Sequence, residues 1–226
     1  MSSLISMGQK AKEASYELGV ASPGQKNEAL TFMAEELIKA KKEIIKANEI
    51  ERQNTKKKGI TDALLDRLSL DDSRIEAMAQ GLLDIVKLQD PVGEVTNMWQ
   101  MPNGLQIGQK RVPIGVLGII YESRPNVTSD AAGLCLKSGN AVILRGASDA
   151  INSNKAVAKA LVAGIKRSGL PQDCVQLLED TSRETAREMM RLNDYIDVLI
   201  PRGGAGLIKS VVQNATVPVI ETGTGN

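Results

Sequence analysis

The sequence predicts an α/β fold built on a parallel sheet covered by helices on both faces. Two observations carry that expectation. From Val112 onward, short apolar runs alternate with helical segments: Val116 to Ile120, Ala141 to Leu144, Val175 to Leu178, Val198 to Ile200 and Val217 to Ile220. These runs are apolar throughout rather than alternating, as strands buried on both faces must be. The composition agrees: 226 residues with 42% hydrophobic and 24% charged side chains can bury a real core in a soluble chain. Aromatic residues are only 2%, so that core must be built from Leu, Ile, Val, Ala and Met.

Residues 1–93 read as a helical region. Leu30, Met33, Ala34, Leu37 and Ile38 follow the spacing of one buried helical stripe, and Ile75, Met78, Ala79, Leu82, Leu83 and Val86 repeat it. Ser73-Arg74-Ile75-Glu76 predicts a capping box at the start of the second stripe. Residues 94–111 predict a β-hairpin, because Asn103-Gly104 after Pro102 suits a turn that needs positive φ values. Trp99 lies on its first arm and suits either core or a subunit interface, with the interface favoured and a dimer through edge pairing expected. Residues 112–226 then form the α/β core, with helices over Val127 to Lys137, Asn152 to Arg167, Arg183 to Arg191 and Gly204 to Gln213.

Charge and targeting signals exclude several classes of function. A net charge of +1 provides no field for nucleic acid or an anionic membrane surface. The basic run Lys56-Lys57-Lys58 reads as the solvated end of a helix. No apolar run approaches the roughly 18 residues that span a bilayer. The N-terminus has no signal-peptide core, so a cytoplasmic address is expected. Two cysteines, Cys135 and Cys174, suit a reducing compartment. There is no histidine, which removes imidazole-based catalysis and imidazole metal ligands, and no metal site is expected.

Ligands in parallel α/β sheets bind beyond the carboxyl ends of the strands, so four strand-end segments are candidates. Tyr121 to Asn126 follows the first strand. Asn126 suits either a helix cap or a neutral donor to a developing oxyanion. Arg145-Gly146-Ala147-Ser148 offers a guanidinium, a small neighbour and a hydroxyl, which suits a phosphorylated ribose as well as a plain surface arginine. Arg202-Gly203-Gly204-Ala205-Gly206 opens a helix, where glycines suit either a plain tight turn or the approach of a pyrophosphate to the free amides. Glu221-Thr222-Gly223-Thr224-Gly225-Asn226 puts a carboxylate after the last run. No G-x-G-x-x-G motif occurs. Cys135 sits among Ala131, Ala132, Leu134 and Leu136 and reads as core. Cys174 has no basic neighbour in sequence to activate it.

Together these residues resemble the γ-glutamyl phosphate reductases, the glutamate-5-semialdehyde dehydrogenases of the aldehyde dehydrogenase superfamily. The resemblance runs through the whole chain and is densest in YESRPNVTSDAAGLCLKSGNAVILRG, with VPVIETGTGN as a second specific string. It implies an aldehyde-dehydrogenase-like fold, with the catalytic domain absent from this chain. It also implies a reaction in which NADPH reduces L-glutamyl 5-phosphate to the semialdehyde with phosphate release, the second step of proline biosynthesis. A cysteine thiolate displaces phosphate in such enzymes. By the same resemblance Asn126 is the oxyanion donor and Glu221 the glutamate near the nicotinamide. Tyr121, Arg145, Gly146, Ser148, Arg202, Gly203 and Gly204 hold the NADP cofactor, and the neutral Ser148 suits its 2′-phosphate.

Members of this family continue for roughly as many residues again, and the nucleophilic cysteine lies in that further half. Neither cysteine here fits its motif, so this polypeptide alone is expected to lack reductase activity. The competing expectations are an inactive NADP-binding module and a reductase of another acyl phosphate. The lability of the substrate makes glutamate 5-kinase a candidate partner, although no residue shows it.

Overall fold

The computed structural model describes residues 3–57 and 61–223. Lys58 of the basic run and Thr224, Gly225 and Asn226 of the last candidate segment lie outside the described residues. The helical region comprises α1 (Ser3–Gly19), α2 (Pro23–Lys39), α3 (Lys41–Lys57), α4 (Asp62–Leu68) and α5 (Asp72–Lys87). Helix α2 starts on a reciprocal capping box. The Gln25 amide donates to Ser22 Oγ and the Ser22 amide donates to Gln25 Oε1, both at 3.2 Å, and Pro23 fills the first helical position.

The box predicted at Ser73 and Glu76 does not form. Asp71, two residues earlier, accepts from the Arg74 amide at 2.8 Å and from the Ser73 hydroxyl, so α5 begins there. Glu76 instead pairs with Lys41 at 2.7 Å. An ionised carboxylate on extended backbone is the stronger acceptor for the free amides of a helix start. Leu30, Met33, Ala34 and Leu37 are buried as the stripe predicts, but Ile38 falls outside it and is 42% exposed. In α5, Ile75, Met78, Ala79, Leu82 and Ile85 are buried, while Leu83 and Val86 are half-buried at the stripe's edge.

The hairpin pairs β1 (Val95–Gln100) antiparallel with β2 (Gln106–Lys110). Its turn differs from the expected Asn-Gly form. Gly104 alone takes a positive φ, of 88°, and donates to the Met101 carbonyl at 2.9 Å, while the Asn103 side chain accepts from the Leu105 amide. Pro102 fixes a negative φ at the first central position, so a single left-handed glycine closes the loop.

Four parallel strands form the main sheet: β3 (Val116–Tyr121), β4 (Ala141–Arg145), β5 (Val175–Leu177) and β6 (Val198–Arg202), in the order β5-β4-β3-β6. The predicted fifth strand, Val217 to Ile220, is reduced to one parallel bridge between Leu199 and Val219. Pro218 has no amide to donate, which breaks the ladder in the middle of that run.

Side-chain parity divides the sheet between two cores. Leu117, Ile119 and Tyr121 of β3 and Val142 and Leu144 of β4 pack with α2, α5, α6 (Asn126–Lys137) and α7 (Ile151–Arg167). Val116, Ile120, Ala141 and Ile143 pack against α1, α8 (Arg183–Met189) and α9 (Ala205–Asn214). Helices α2 and α7 meet backbone to backbone. A Cβ on Gly164 would sit 2.4 Å from the Met33 amide nitrogen.

A buried polar cluster fixes α3 and α4 at the carboxyl edge of the sheet. Glu51 of α3 accepts from the amides of Asn152 and Ser153 and from the Ser153 hydroxyl at the start of α7. Burial pushes its carboxyl above the ordinary value. Asn48 donates to the Leu68 carbonyl at 2.8 Å and to Ser153 Oγ at 3.0 Å, which ties the end of α4 to the same point.

Candidate functional site

Strand β3 is followed in sequence by β4 on one side, while β6 lies on its other side, so the strand order reverses between β3 and β6. The turns leaving such a pair diverge and open a crevice beyond the sheet. A cavity of about 760 Å³ lies here, with Leu117, Ile119 and Ile200 among its apolar lining. Its polar lining includes Arg124 and Asn126 after β3, Arg202, Gly203 and Gly204 after β6, and Arg67 from α4. The sequence alone did not single out Arg67, and it placed Arg124 only as a member of the candidate turn Tyr121 to Asn126.

Asn126 is the first residue of α6. Pro125 holds the cap position and no side chain caps the helix, so the capping role open to Asn126 is not realised. Its amide is exposed and donates to Asp130 Oδ2, one turn on, at 3.1 Å. Burial raises the pKa of Asp130, while the bond from Asn126 and the charge of Arg202 oppose that shift. The carboxamide therefore stands on the cavity wall with a second N–H still to give.

The glycine turn after β6 carries its own anion. The Gly204 amide, at the start of α9, donates to Glu122 Oε1 at 2.9 Å. A Cβ on Gly203 would lie 2.6 Å from the Glu122 carboxyl carbon. The position expected for a pyrophosphate is thus held by a carboxylate from the turn after β3. Thr222, which donates to the Pro201 carbonyl at 2.7 Å, and Gly223 also line the cavity. Glu221 is exposed beside them and is not part of the lining.

Arg145 is not in this cavity. It lines a second one, of about 390 Å³, with Ile120, Ala186, Met190 and Leu207 as apolar wall and Arg183, Arg187, Ser210 and Asn214 as polar lining from α8 and α9. One Arg145 nitrogen donates to the Thr181 carbonyl at 2.7 Å, and its Nε is buried without a partner. Burial pulls its pKa below the usual guanidinium value. Arg183 and Arg187 were not singled out by the sequence reading, although their spacing of four places them on one helix face.

Three residues expected at the cofactor line neither cavity. Tyr121 is 1% exposed, and its hydroxyl bonds Thr128 Oγ1 at 2.7 Å inside the core, because its strand parity points it inward. Gly146 is buried, and a Cβ there would lie 2.2 Å from the Asn154 amide nitrogen, so it serves the packing of β4 against α7. Ser148 is exposed, bonds its neighbour Asp149 at 3.4 Å and lines neither cavity. Both cysteines are free and buried, and burial pushes each thiol up to about 12.

A parallel sheet with its crevice at the switch point and a basic cavity at the end of β4 places this chain among the α/β folds whose ligand sites lie beyond the strand ends. Comparison with known proteins specifies which kind. The sequence pattern of the aldehyde dehydrogenase family matches residues 4–224, and the chain belongs to that family. It is 71% identical over all 226 residues to the γ-glutamyl phosphate reductase of Clostridium beijerinckii, of which it covers 55%. The crystal structure of γ-glutamyl phosphate reductase from Thermotoga maritima superposes with a TM-score of 0.96 at 47% identity, over 99% of this chain and 54% of that one. The corresponding enzyme from Saccharomyces cerevisiae gives 0.91 at 32% identity, over 100% and 57%. The chain thus spans about half the length of the relatives it matches.

Proposed function

We propose that this chain is the cofactor-binding portion of an NADPH-dependent reductase that converts L-glutamyl 5-phosphate to L-glutamate 5-semialdehyde with phosphate release, in proline biosynthesis. The observation that carries the cofactor is the cavity at the end of β4. Its apolar wall suits an adenine, and the guanidinium of Arg145, with its Nε still unpartnered, suits a phosphorylated ribose. When bound, the cofactor supplies a hydride to the acyl carbon.

The residues around the larger cavity have complementary tasks in this reading. Asn126 donates to the acyl oxygen as negative charge develops there, and Asp130 holds its carboxamide in place. Arg67, Arg124 and Arg202 are the cations available to the anionic substrate. For Gly203 and Gly204 to receive the pyrophosphate, Glu122 must release the Gly204 amide. Glu221 is the carboxylate available at the rim. Neither Cys135 nor Cys174 is the nucleophile, since both are buried with raised pKa values, so the 226-residue polypeptide alone is expected to show no turnover. Two free buried thiols also support a cytoplasmic address.

Calorimetric titration of the purified chain tests the cofactor reading. NADPH is expected to bind more tightly than NADH, and Arg145→Ala to weaken NADPH more than NADH. Equal losses for the two cofactors would remove the 2′-phosphate role from Arg145, and no binding of either would sink the reading as a whole.

A further inference from the structure

A cavity with several guanidinium groups and no carboxylate concentrates positive charge, which a bound anion would offset. The cavity between α8 and α9 is of this kind. Arg145, Arg183 and Arg187 line it, and no Asp or Glu does. Two of the three, Arg183 and Arg187, have no hydrogen-bond or ion-pair partner among the described residues. The acid that acts on Arg145, Asp180, lies outside the lining and is occupied by the Thr185 hydroxyl and the Ser182 amide. The larger cavity contrasts with this, since its arginines share the lining with Glu122 and Asp130.

We propose that Arg183 and Arg187 form a clamp for a phosphate monoester on the ribose of an adenine nucleotide, and so select the 2′-phosphorylated cofactor. The proposal rests on the cofactor reading above and assigns its specificity to α8 rather than to Ser148. A phosphate monoester carries a charge of about −1.5 to −2 at neutral pH and accepts several hydrogen bonds at once, so one partly buried arginine is a poor match for it. Arg145 is already fixed by the Thr181 carbonyl, in the loop that leads into α8. Its position is therefore coupled to that of the two arginines one turn apart on the next helix. Ala186 and Met190 of the same helix belong to the apolar wall, so base and phosphate would be read by one element. Ser148 lines neither cavity, and its hydroxyl bonds the neighbouring Asp149.

The test is titration of the purified chain with 2′,5′-ADP and with 5′-AMP, beside NADPH and NADH. The wild-type chain is expected to bind 2′,5′-ADP about tenfold or more tighter than 5′-AMP. Arg183→Gln with Arg187→Gln, both exposed positions, should abolish most of that difference, with a much smaller loss for 5′-AMP than for 2′,5′-ADP. Arg187→Lys, which keeps the charge and loses the fork, should retain part of it. A double variant that binds NADPH and keeps the full preference overturns the clamp while the cofactor reading stands. A wild-type chain that binds NADPH but not 2′,5′-ADP over 5′-AMP overturns it in the same way. Failure of the wild-type chain to bind any of the four overturns both.

Discussion

In the proposed cofactor reading, Glu122 is the residue that the entering pyrophosphate must displace. Its carboxylate caps the Gly204 amide at the start of α9 and packs on Gly203, where the cofactor's pyrophosphate is expected. Two anions cannot share the same amide, so binding must displace one of them. Glu122→Gln keeps the size and the acceptor but removes the charge. It is expected to tighten NADPH by about threefold, read by the same titration. Weaker binding would instead make Glu122 a scaffold for the turn. The cysteines allow a second prediction at this scale. With both thiols buried and pushed up to about 12, neither is expected to react with a thiol reagent at neutral pH until the chain is unfolded in urea. A fast native reaction at either cysteine would reopen the question of a nucleophile within these residues.

Between elements, the closest approach is that of α2 and α7. Gly164 allows the two helix backbones to touch at Met33, and both helices anchor the face of the sheet that carries Leu117 and Val142. Gly164→Ala would normally raise helix propensity, yet here its methyl has only backbone to displace. The expected result is a loss of about 1–3 kcal/mol, measured as a lower urea midpoint with unchanged slope. A more stable variant would mean that the two helices separate freely. The elements also show which local signals can be read without a fold. Apolar runs located β3, β4, β5 and β6, because strands buried on both faces leave no other trace. Val217 to Ile220 carries the same signal but fails as a strand, since Pro218 supplies no donor. At α5, Ser73 and Glu76 had the right residue types, yet Asp71 reached the free amides first.

On the scale of the whole molecule, the hairpin stands apart from the core. All six residues of β1 are exposed, with Met98 at 64% and Trp99 at 42%, and among the described residues β1 pairs with β2 alone. A strand that exposes Val95, Met98 and Trp99 and has a free edge tends to find a partner. We expect a dimer by light scattering, and a monomer when Met98→Lys and Trp99→Lys are combined. A wild-type monomer would count against edge pairing. The candidate site was legible only in part at this scale. Asn126, Arg202, Gly203 and Gly204 were recognisable because each follows a strand or opens a helix, and they do share one cavity. Arg67 was invisible, since nothing around it in sequence indicates that Asn48 and Glu51 hold α4 at the sheet's carboxyl edge. The burial of Tyr121 was hidden too, because strand parity rather than its polar neighbours sets the direction of its ring.

By itself the sequence determined the α/β class, the turns at the strand ends, the lack of histidine and the apolar setting of Cys135. Those properties depend on residue type and short-range spacing. Only the tertiary structure decided that Arg145 joins Arg183 and Arg187 rather than Asn126, that Gly146 serves packing, and that Glu122 holds the Gly204 amide. Each of those depends on strand order and side-chain direction, which bring together residues that local spacing cannot relate.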